Sequence, residues 1–147
     1  MTGLDGGRIG IAAQSVGVAQ AAFDAAVRYA QEREQFGQAI SKFQGLRWMF
    51  ADMATEIEAA RLLTFAAAEM KDRGENYTAQ ASMAKLFASE TANYVAKEAI
   101  QMHGGMGYSR EMPLERYYRD AKITEIYEGT KEIQKNTIAS AVIGKLK

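Results

Sequence analysis

The chain has 147 residues, with 18 basic and 18 acidic side chains, one histidine and no cysteine. This length suits one domain, and the zero net charge excludes a strongly basic surface for nucleic acid or for an anionic membrane. Without cysteine there is neither a disulfide scaffold nor a thiolate zinc site, and a lone histidine cannot anchor a multi-histidine site, so we predict no metal. Neither a signal peptide nor a run of about 20 apolar residues is visible, so we expect a soluble, cytoplasmic protein with no membrane segment.

Five helices are predicted in chain order. Apolar residues spaced for one face, from Ile9 to Ala30, indicate the first helix, and Gly37 suits a left-handed residue at its end. Ser41 and Gln44 have the spacing of a capping box for the second helix. Pro113 suits the first turn of a short helix. The predicted helices span residues 7–34, 41–73, 77–102, 114–123 and 130–143.

Long helices joined by short loops predict an all-α domain, an antiparallel four-helix bundle with one extra short helix. Several helices are apolar on more than one face. The second helix carries four large apolar residues outside its main stripe: Trp48, Leu62, Leu63 and Phe65. A helix that is apolar nearly all round is buried on several sides, so we expect a partner domain or partner subunits.

Glu128 is the first candidate for chemistry, in the stretch Ile126-Tyr127-Glu128-Gly129-Thr130. It precedes the last helix, whose N-terminus favours a charged carboxylate, whereas apolar surroundings favour the neutral acid. A general base near neutral pH requires such a balance, and Gly129 leaves room for a ligand. An acid in the first turn of a helix, followed by a turn glycine, explains the same residues structurally.

Three further segments have both a functional and a structural interpretation. Glycines after the third helix, in 101–108, could bring backbone N–H groups to a phosphate or could simply cap that helix. Arg33, Phe36 and Gln44 could hold a nucleotide, although Arg33 also suits a helix C-terminus and Gln44 the capping box. In the segment 5–8, Asp5 could be an N-cap and Arg8 a solvated side chain. His103 alone is more often structural than catalytic.

Together and in this order, these motifs resemble the C-terminal domain of the acyl-CoA dehydrogenases, most closely the short-chain (butyryl-CoA) branch. The resemblance covers almost the whole chain. Each motif is weak singly, but the ordered set is specific. The matching segments are Leu4-Asp5-Gly6-Gly7-Arg8-Ile9, Arg33-Glu34-Gln35-Phe36-Gly37, Gln101-Met102-His103-Gly104-Gly105, Tyr118-Arg119-Asp120-Ala121-Lys122-Ile123 and Ile126-Tyr127-Glu128-Gly129-Thr130.

The resemblance implies FAD-dependent α,β-dehydrogenation of a short-chain acyl-CoA in the course of fatty acid oxidation. Glu128 would remove the α-proton while a hydride passes to flavin N5. The implied FAD contacts are Arg33, Phe36, Gln44, Gln101, Met102, His103, Gly104, Gly105, Thr130 and Glu132, the first eight of which would grip the cofactor's adenosine-diphosphate part, Arg33, Phe36 and Gln44 from a neighbouring subunit. The implied substrate contacts are Asp5, Gly6, Gly7, Arg8 and Gly129.

One detail sharpens the choice of base. Some branches of the family, including the isovaleryl-CoA dehydrogenases, carry their base just before the arginine that matches Arg8. Here those positions are Gly6 and Gly7, which cannot act as a base, so the resemblance points to Glu128. Lys131 departs from the serine found in many relatives.

The resemblance also implies parts that this chain lacks: an N-terminal helical domain and a middle β-domain that supplies most of the flavin pocket. We therefore expect residues 1–147 to be a single C-terminal domain, inactive alone and poor at retaining FAD. Expected partners are acyl-CoA, an electron-transfer flavoprotein and further copies, in a dimer or tetramer. The family also allows the mitochondrial matrix in a eukaryote. Two alternatives stay open: a non-catalytic self-association module and part of an acyl-CoA oxidase.

Overall fold

The computed structural model describes the backbone of residues 2–144 and the side chains of residues 4–144. Within that range all the regular elements are helices apart from one small hairpin, which confirms the all-α prediction. The hairpin pairs β1 (Glu34–Gln35) with β2 (Gln38–Ala39) and leads into a 3-10 turn, Ile40–Lys42. The helices are α1 (Thr2–Glu32), α2 (Gln44–Asp72), α3 (Thr78–His103), α4 (Gly105–Tyr108), α5 (Leu114–Thr124) and α6 (Lys131–Ile143).

Helices α1 and α3 run parallel and form the most extensive contact in the domain. Their N-terminal ends meet where Arg8 donates to Ser82, and their C-terminal ends meet where the rings of Tyr29 and His103 stack. Buried alanines line both helices, so the helices pack through small side chains. Helix α2 runs antiparallel to them and joins the same core, in which Phe23 of α1 meets Phe50 of α2 edge-on.

The fourth position of the bundle is filled by two helices in succession. Helix α5 runs antiparallel to the C-terminal half of α3, where Asn93 donates to the Ala121 carbonyl, and α5 also packs on α1. Helix α6 continues in the same direction along the N-terminal half of α3, where Lys131 pairs with Glu90. The resulting up-down-up-down order is that of an antiparallel bundle. The break between α5 and α6 contains Glu128.

The predicted core stripe of the first helix is confirmed, since Ala12, Val16, Ala19, Ala26 and Ala30 are all buried. In α3, however, only Val95 of the large core candidates is fully buried. The other four are half-buried, because the α1–α3 contact is made by alanines and leaves little room for larger side chains. These four are Met83, Leu86, Phe87 and Tyr94.

Two predictions about helix starts are wrong. Helix α1 begins at Thr2 and not at residue 7, because contacts between its first turns and α3 outweigh the poor helix propensity of its glycines. The capping box of Ser41 and Gln44 is absent, since Phe43 is the N-cap of α2 and no side chain caps it. The hairpin was not predicted, and neither was α4, which lies in the glycine-rich segment after α3.

Other boundaries agree with the sequence to within about three residues. Gly74 ends α2 with a φ of 71°, and Pro113 stands directly before α5, as expected. Gly37 does adopt a left-handed conformation, with a φ of 79°, but in the hairpin turn and not at a helix end. The sequence continues past the last helix into a short basic tail, Lys145 and Lys147, which lies outside the described residues.

Helix α2 leaves a set of large apolar side chains on the surface: Trp48, Leu62 and Phe65 are each about 60% exposed. Leu63 is half-buried instead. Helix α2 therefore has apolar side chains that the core of this single bundle does not bury, as the sequence predicts. None of the helices within residues 2–144 is both long and apolar enough to cross a membrane.

Candidate active site

The turn between α5 and α6 holds Glu128 in an unusual backbone conformation. Glu128 has a φ of 54° and Gly129 a φ of 95°, so both residues lie in the left-handed region. Glycine adopts this conformation freely, but for a residue with a side chain it costs roughly 1–2 kcal/mol. Such strain concentrates at functional sites, so the turn is a candidate site on structural grounds.

Two buried side chains donate hydrogen bonds to the backbone carbonyls of this turn from inside the bundle. The Lys85 ammonium on α3 donates to the Gly129 carbonyl at 2.7 Å. The Gln134 amide on α6 donates to the same carbonyl at 2.9 Å and to the Glu128 carbonyl at 3.2 Å. Both side chains are fully buried, so the strained peptide is fixed by partners that cannot turn to solvent. The turn is also joined to α1, because the Tyr127 hydroxyl donates to Gln14 of that helix at 2.7 Å.

The carboxylate of Glu128 lies against α1 at Gly7. A Cβ atom added to Gly7 would stand 2.6 Å from Oε2 and 3.0 Å from Cδ of Glu128. Any side chain at position 7 would therefore displace the carboxylate. Two segments predicted to form one site, 5–8 and 126–130, are thus brought together, and the Glu128 side chain is half-buried between them.

Asp5 and Arg8 do not lie open beside that carboxylate. Arg8 donates to Asp5 at 2.8 Å and to Ser82 at 3.3 Å, while Thr78 donates to Asp5 at 2.8 Å. Both are more than 90% buried and lie within α1, so the N-cap at Asp5 and the solvated Arg8 considered from the sequence are both wrong. The pair joins the start of α1 to α3, and its predicted contact with substrate stays a prediction.

Charges of both signs surround the turn. Burial lowers the pKa of Lys85, and the Arg8 guanidinium lowers it further, while Glu125 and Glu128 oppose the shift. Burial would raise the pKa of Glu125, but hydrogen bonds and positive charge from Lys122 and Lys131 outweigh it, and the pKa is lowered. Lys131 therefore contributes to the charge balance at the turn by pairing with Glu125.

The predicted contacts at the hairpin face outward. Phe36 is 93% exposed, with only its edge against Phe43, and Arg33 and Gln44 are exposed as well. Phe36 and Gly37 both have positive φ, as the two central residues of a type I′ hairpin turn require. Within residues 4–144 the Arg33 guanidinium has no hydrogen-bond partner. A free guanidinium, an open aromatic ring and an amide fit the pyrophosphate and adenine of a dinucleotide such as FAD.

The segment 101–105 is divided between surface and core. Gln101, Gly104 and Gly105 are exposed, whereas Met102 and His103 are buried. His103 stacks on Tyr29, donates a hydrogen bond from its Nδ1–H group to the Ala99 carbonyl, and has a pKa lowered by burial. Its structural role is therefore supported by its surroundings. Only the three exposed residues of this segment are open to a cofactor.

The predicted FAD contacts form two separate groups. The hairpin and the end of α3 lie at one end of the bundle, joined by the Tyr29–His103 contact. Thr130 and Glu132 are exposed at the start of α6, beside Glu90. Since thirteen residues of α3 separate Glu90 from His103, the two groups are about 20 Å apart along the bundle.

Sequence reasoning missed Lys85 and Gln134. A signal for Lys85 exists, because it lies in the apolar stripe of α3 with Ala81, Ala88 and Ala92. A charged residue in such a stripe either reaches the surface or has a buried partner. The partner here is a carbonyl 44 residues further along the chain, which periodicity cannot indicate.

Comparison with known proteins agrees with the fold and with the ordered motifs. Residues 1–143 match the family model "Acyl-CoA dehydrogenase, C-terminal domain". The chain belongs to the acyl-CoA dehydrogenase family and corresponds to its C-terminal domain.

Among its relatives, the mitochondrial short-chain specific acyl-CoA dehydrogenase of Rattus norvegicus is 54% identical over 97% of this chain and 35% of that protein. The caffeyl-CoA reductase-Etf complex subunit CarC of Acetobacterium woodii is 50% identical over 99% of this chain and 38% of that protein. The butyryl-CoA dehydrogenase structure from Megasphaera elsdenii superposes with a TM-score of 0.94 at 50% identity, over 95% of this chain and 37% of that one. The chain thus spans little more than a third of the relatives it matches.

Proposed function

We propose that this chain carries the proton-abstracting half of a short-chain acyl-CoA dehydrogenase active site, with Glu128 as the base. One observation carries the proposal: Glu128 lies on a strained turn, and its carboxylate contacts α1 at Gly7. The backbone of Glu128 is fixed by buried donors, while its carboxylate remains half-exposed. A base needs both features, because it must be held in one place and still reach a substrate.

In this function the half-buried side of α1 at Gly6 and Gly7, and the Gly129 backbone, would lie along the acyl-CoA thioester. A carboxylate oxygen of Glu128 would take the α-proton of the thioester. The electron pair of the broken C–H bond, stabilised by the thioester carbonyl, would form the double bond between the α- and β-carbons as the β-hydrogen leaves with its own electron pair. Glu128 would end the step protonated. FAD, when bound, would accept the hydride that leaves the β-carbon. The short-chain preference is supported by the 54% identity to short-chain specific relatives.

The positions of the residues that would hold FAD favour an assembly of more than one subunit. Thr130 and Glu132 lie beside Glu128, whereas Arg33, Phe36, Gln44, Gln101, Gly104 and Gly105 lie about 20 Å away. We infer that the distant group serves the cofactor of a neighbouring copy, in a homo-oligomer such as a dimer or tetramer. The relatives' remaining sequence would complete the flavin pocket. An electron-transfer flavoprotein as redox partner is supported by the Etf complex to which the Acetobacterium relative belongs.

The experiment is a chimaeric enzyme in which residues 1–143 replace the matching part of the Megasphaera elsdenii butyryl-CoA dehydrogenase. Oxidation of butyryl-CoA is followed with a dye as electron acceptor. Glu128→Gln should lower kcat by about 10²–10⁴-fold, the usual contribution of a positioned base. Glu111→Gln, an exposed acid before α5, is the matched control and should keep normal turnover.

Normal turnover by the Glu128→Gln chimaera, with FAD bound and the fold intact, would show that another group is the base. The 147-residue chain alone should not oxidise butyryl-CoA under the same conditions, because the flavin pocket is incomplete in it. Turnover by that chain alone would contradict the proposed need for the missing parts.

A second function, self-association without catalysis, is favoured by the exposed apolar surface of α2. Trp48, Leu62 and Phe65 present large apolar side chains on one helix. Exposed apolar patches of this kind mark interaction surfaces. Light scattering of the 147-residue chain tests it: an oligomer that Leu62→Lys dissociates would support the surface, and a monomer at all concentrations would exclude it.

A further inference from the structure

A lysine is buried in the alanine-lined face of α3. Lys85 is fully buried, and the residues one turn before and after it on the same face, Ala81 and Ala88, are buried alanines of the core. A lysine in such a place loses the hydration of its charge, which is costly unless partners replace it. An apolar side chain would fill the position without that cost, so the charge and the hydrogen bonds of Lys85 need a reason.

The partner of Lys85 is the strained peptide of the turn. The Lys85 ammonium donates to the Gly129 carbonyl at 2.7 Å, a charge-assisted hydrogen bond and so stronger than a neutral one. Gln134 donates to the same oxygen at 2.9 Å. A carbonyl can accept two hydrogen bonds, so this one is saturated from inside the protein. The backbone that directs the Glu128 side chain toward Gly7 is held by this pair of donors.

The charges that face Lys85 come from three elements. Arg8 on α1 repels it, while Glu125 at the end of α5 and Glu128 in the turn attract it. Glu125 is itself shared with Lys122 and Lys131. The attraction to Glu125 and Glu128 offsets part of the cost of burial. Lys85 is therefore coupled both to the backbone of the turn and to the carboxylate that the turn presents.

We propose that Lys85 is a positioning residue for Glu128, acting by holding the Gly129 carbonyl and thereby the left-handed Glu128–Gly129 backbone. The effect of Lys85 on catalysis rests on the proposed function of Glu128, but its effect on the backbone of the turn does not. Lys85 does not touch the substrate in this role. It sets where the carboxylate stands, and loss of its hydrogen bond would let the turn relax to another conformation.

The first test is amide hydrogen exchange in the 147-residue chain, which needs neither cofactor nor activity. The backbone N–H groups of Ile126, Tyr127 and Gln134 are hydrogen-bonded in and beside the turn and report its opening. Lys85→Met should raise their exchange rates at least tenfold while leaving α2 unchanged. Lys97→Met, an exposed lysine on the same helix, is the matched control and should change neither.

Lys85→Arg keeps a charged donor and should return the exchange rates to within about threefold of the original chain. If Lys85→Met does not fold, Lys85→Gln replaces it. Glutamine keeps a polar side chain at this position, but that side chain is shorter than lysine and does not reach the Gly129 carbonyl. Unchanged exchange in the turn would overturn the proposal. An equal rise throughout the chain would overturn it as well, since it would show a general role in stability.

The second test separates this proposal from the proposed function. In the chimaeric enzyme, Lys85→Met should lower kcat per bound FAD about 10–100-fold with KM within threefold, and Lys85→Arg should restore most of kcat. A misplaced base lowers the rate of the chemical step more than it weakens binding. If Glu128→Gln is inactive but Lys85→Met is normal, only the role of Lys85 fails. If Glu128→Gln is active, the proposed base fails whatever Lys85 does.

Discussion

Two turns of this domain use the same backbone conformation for opposite purposes. Glu128 and Phe36 both have a φ of 54°, and each is followed by a glycine with positive φ. The Glu128 turn is held by buried donors and directs its side chain onto α1 at Gly7. The Phe36 turn closes the two-stranded hairpin and leaves its ring 93% exposed. The comparison suggests that one strained residue serves this chain's own site and the other a molecule outside it.

The two turns should also respond differently to substitutions. Behind Glu128 lies a layer of buried polar groups, from Asp5 and Arg8 to Lys85 and Gln134. Changes there should affect stability, activity or both. Phe36 is largely exposed and meets Phe43 in an edge-to-face contact, so a change there should affect binding with little harm to the fold. Three substitutions test this contrast, and their effects should fall in the order given.

The largest effect is expected at the buried pair below the Glu128 turn. Arg8→Met leaves Asp5 buried without its positive partner, and breaking a buried pair in this way costs about 3 kcal/mol of unfolding free energy. Urea unfolding of the 147-residue chain measures it. The double variant Asp5→Asn with Arg8→Met removes both charges and should recover a large part of the loss. A loss below about 1 kcal/mol in the single variant would mean that the start of α1 contributes little to the folded core.

The next change should lower activity without destabilising the fold. Gly7→Ala places a methyl group where Glu128 Oε2 now lies, and the flexible end of the glutamate would move aside. A shift of about 1 Å in a catalytic group can cost about 100-fold in rate. Stability should rise slightly, because alanine favours a helix by roughly 0.5–1 kcal/mol over glycine. The measurements are kcat in the chimaera and urea unfolding of the chain.

Gly17→Ala is the matched control, since it lies on the same helix with nothing within 4 Å of the added Cβ. It should give the same gain in stability with unchanged kcat. Equal kcat for both variants would show that the Gly7–Glu128 contact has no bearing on catalysis, and the packed turn would then lose its distinction from the hairpin.

The helices could be predicted because their patterns repeat along the chain. The stripe from Ala12 to Ala30 identifies the buried face of α1, and the long spans follow from it. The start of α1 could not be predicted, since Gly6 and Gly7 disfavour helix locally and contacts to Thr78 and Ser82 decide the outcome. The hairpin was missed because a left-handed Gly37 fits a helix end as well as a two-residue turn.

The site was predictable only in part, for a related reason. The ordered motifs point to Glu128 and to residues 5–8, and the structure places Gly7 against Glu128. The same motifs do not separate exposed residues from buried ones, so Met102 and His103 were grouped with Gln101 although they face the core. Lys85 was invisible because its importance depends on a single long-range hydrogen bond.

The smallest effect on the fold is expected at the exposed turn, and it is the sharpest test of the contrast. Asparagine is favoured over phenylalanine in the first central position of a type I′ turn, because it tolerates positive φ. Phe36→Asn should therefore leave the unfolding free energy of the chain unchanged or raise it by up to about 1 kcal/mol, since the loss of an edge contact to Phe43 offsets part of the gain.

In the chimaera the same variant should weaken FAD binding, because the flat ring that would pack on the cofactor is gone. A gain in stability together with weaker FAD binding would mean that this turn gives up local stability for recognition, as we propose that the Glu128 turn does for catalysis. A loss of more than 1 kcal/mol would instead make Phe36 part of the fold. In that case the two turns would differ in exposure alone, and the outward role inferred for the hairpin would lack support.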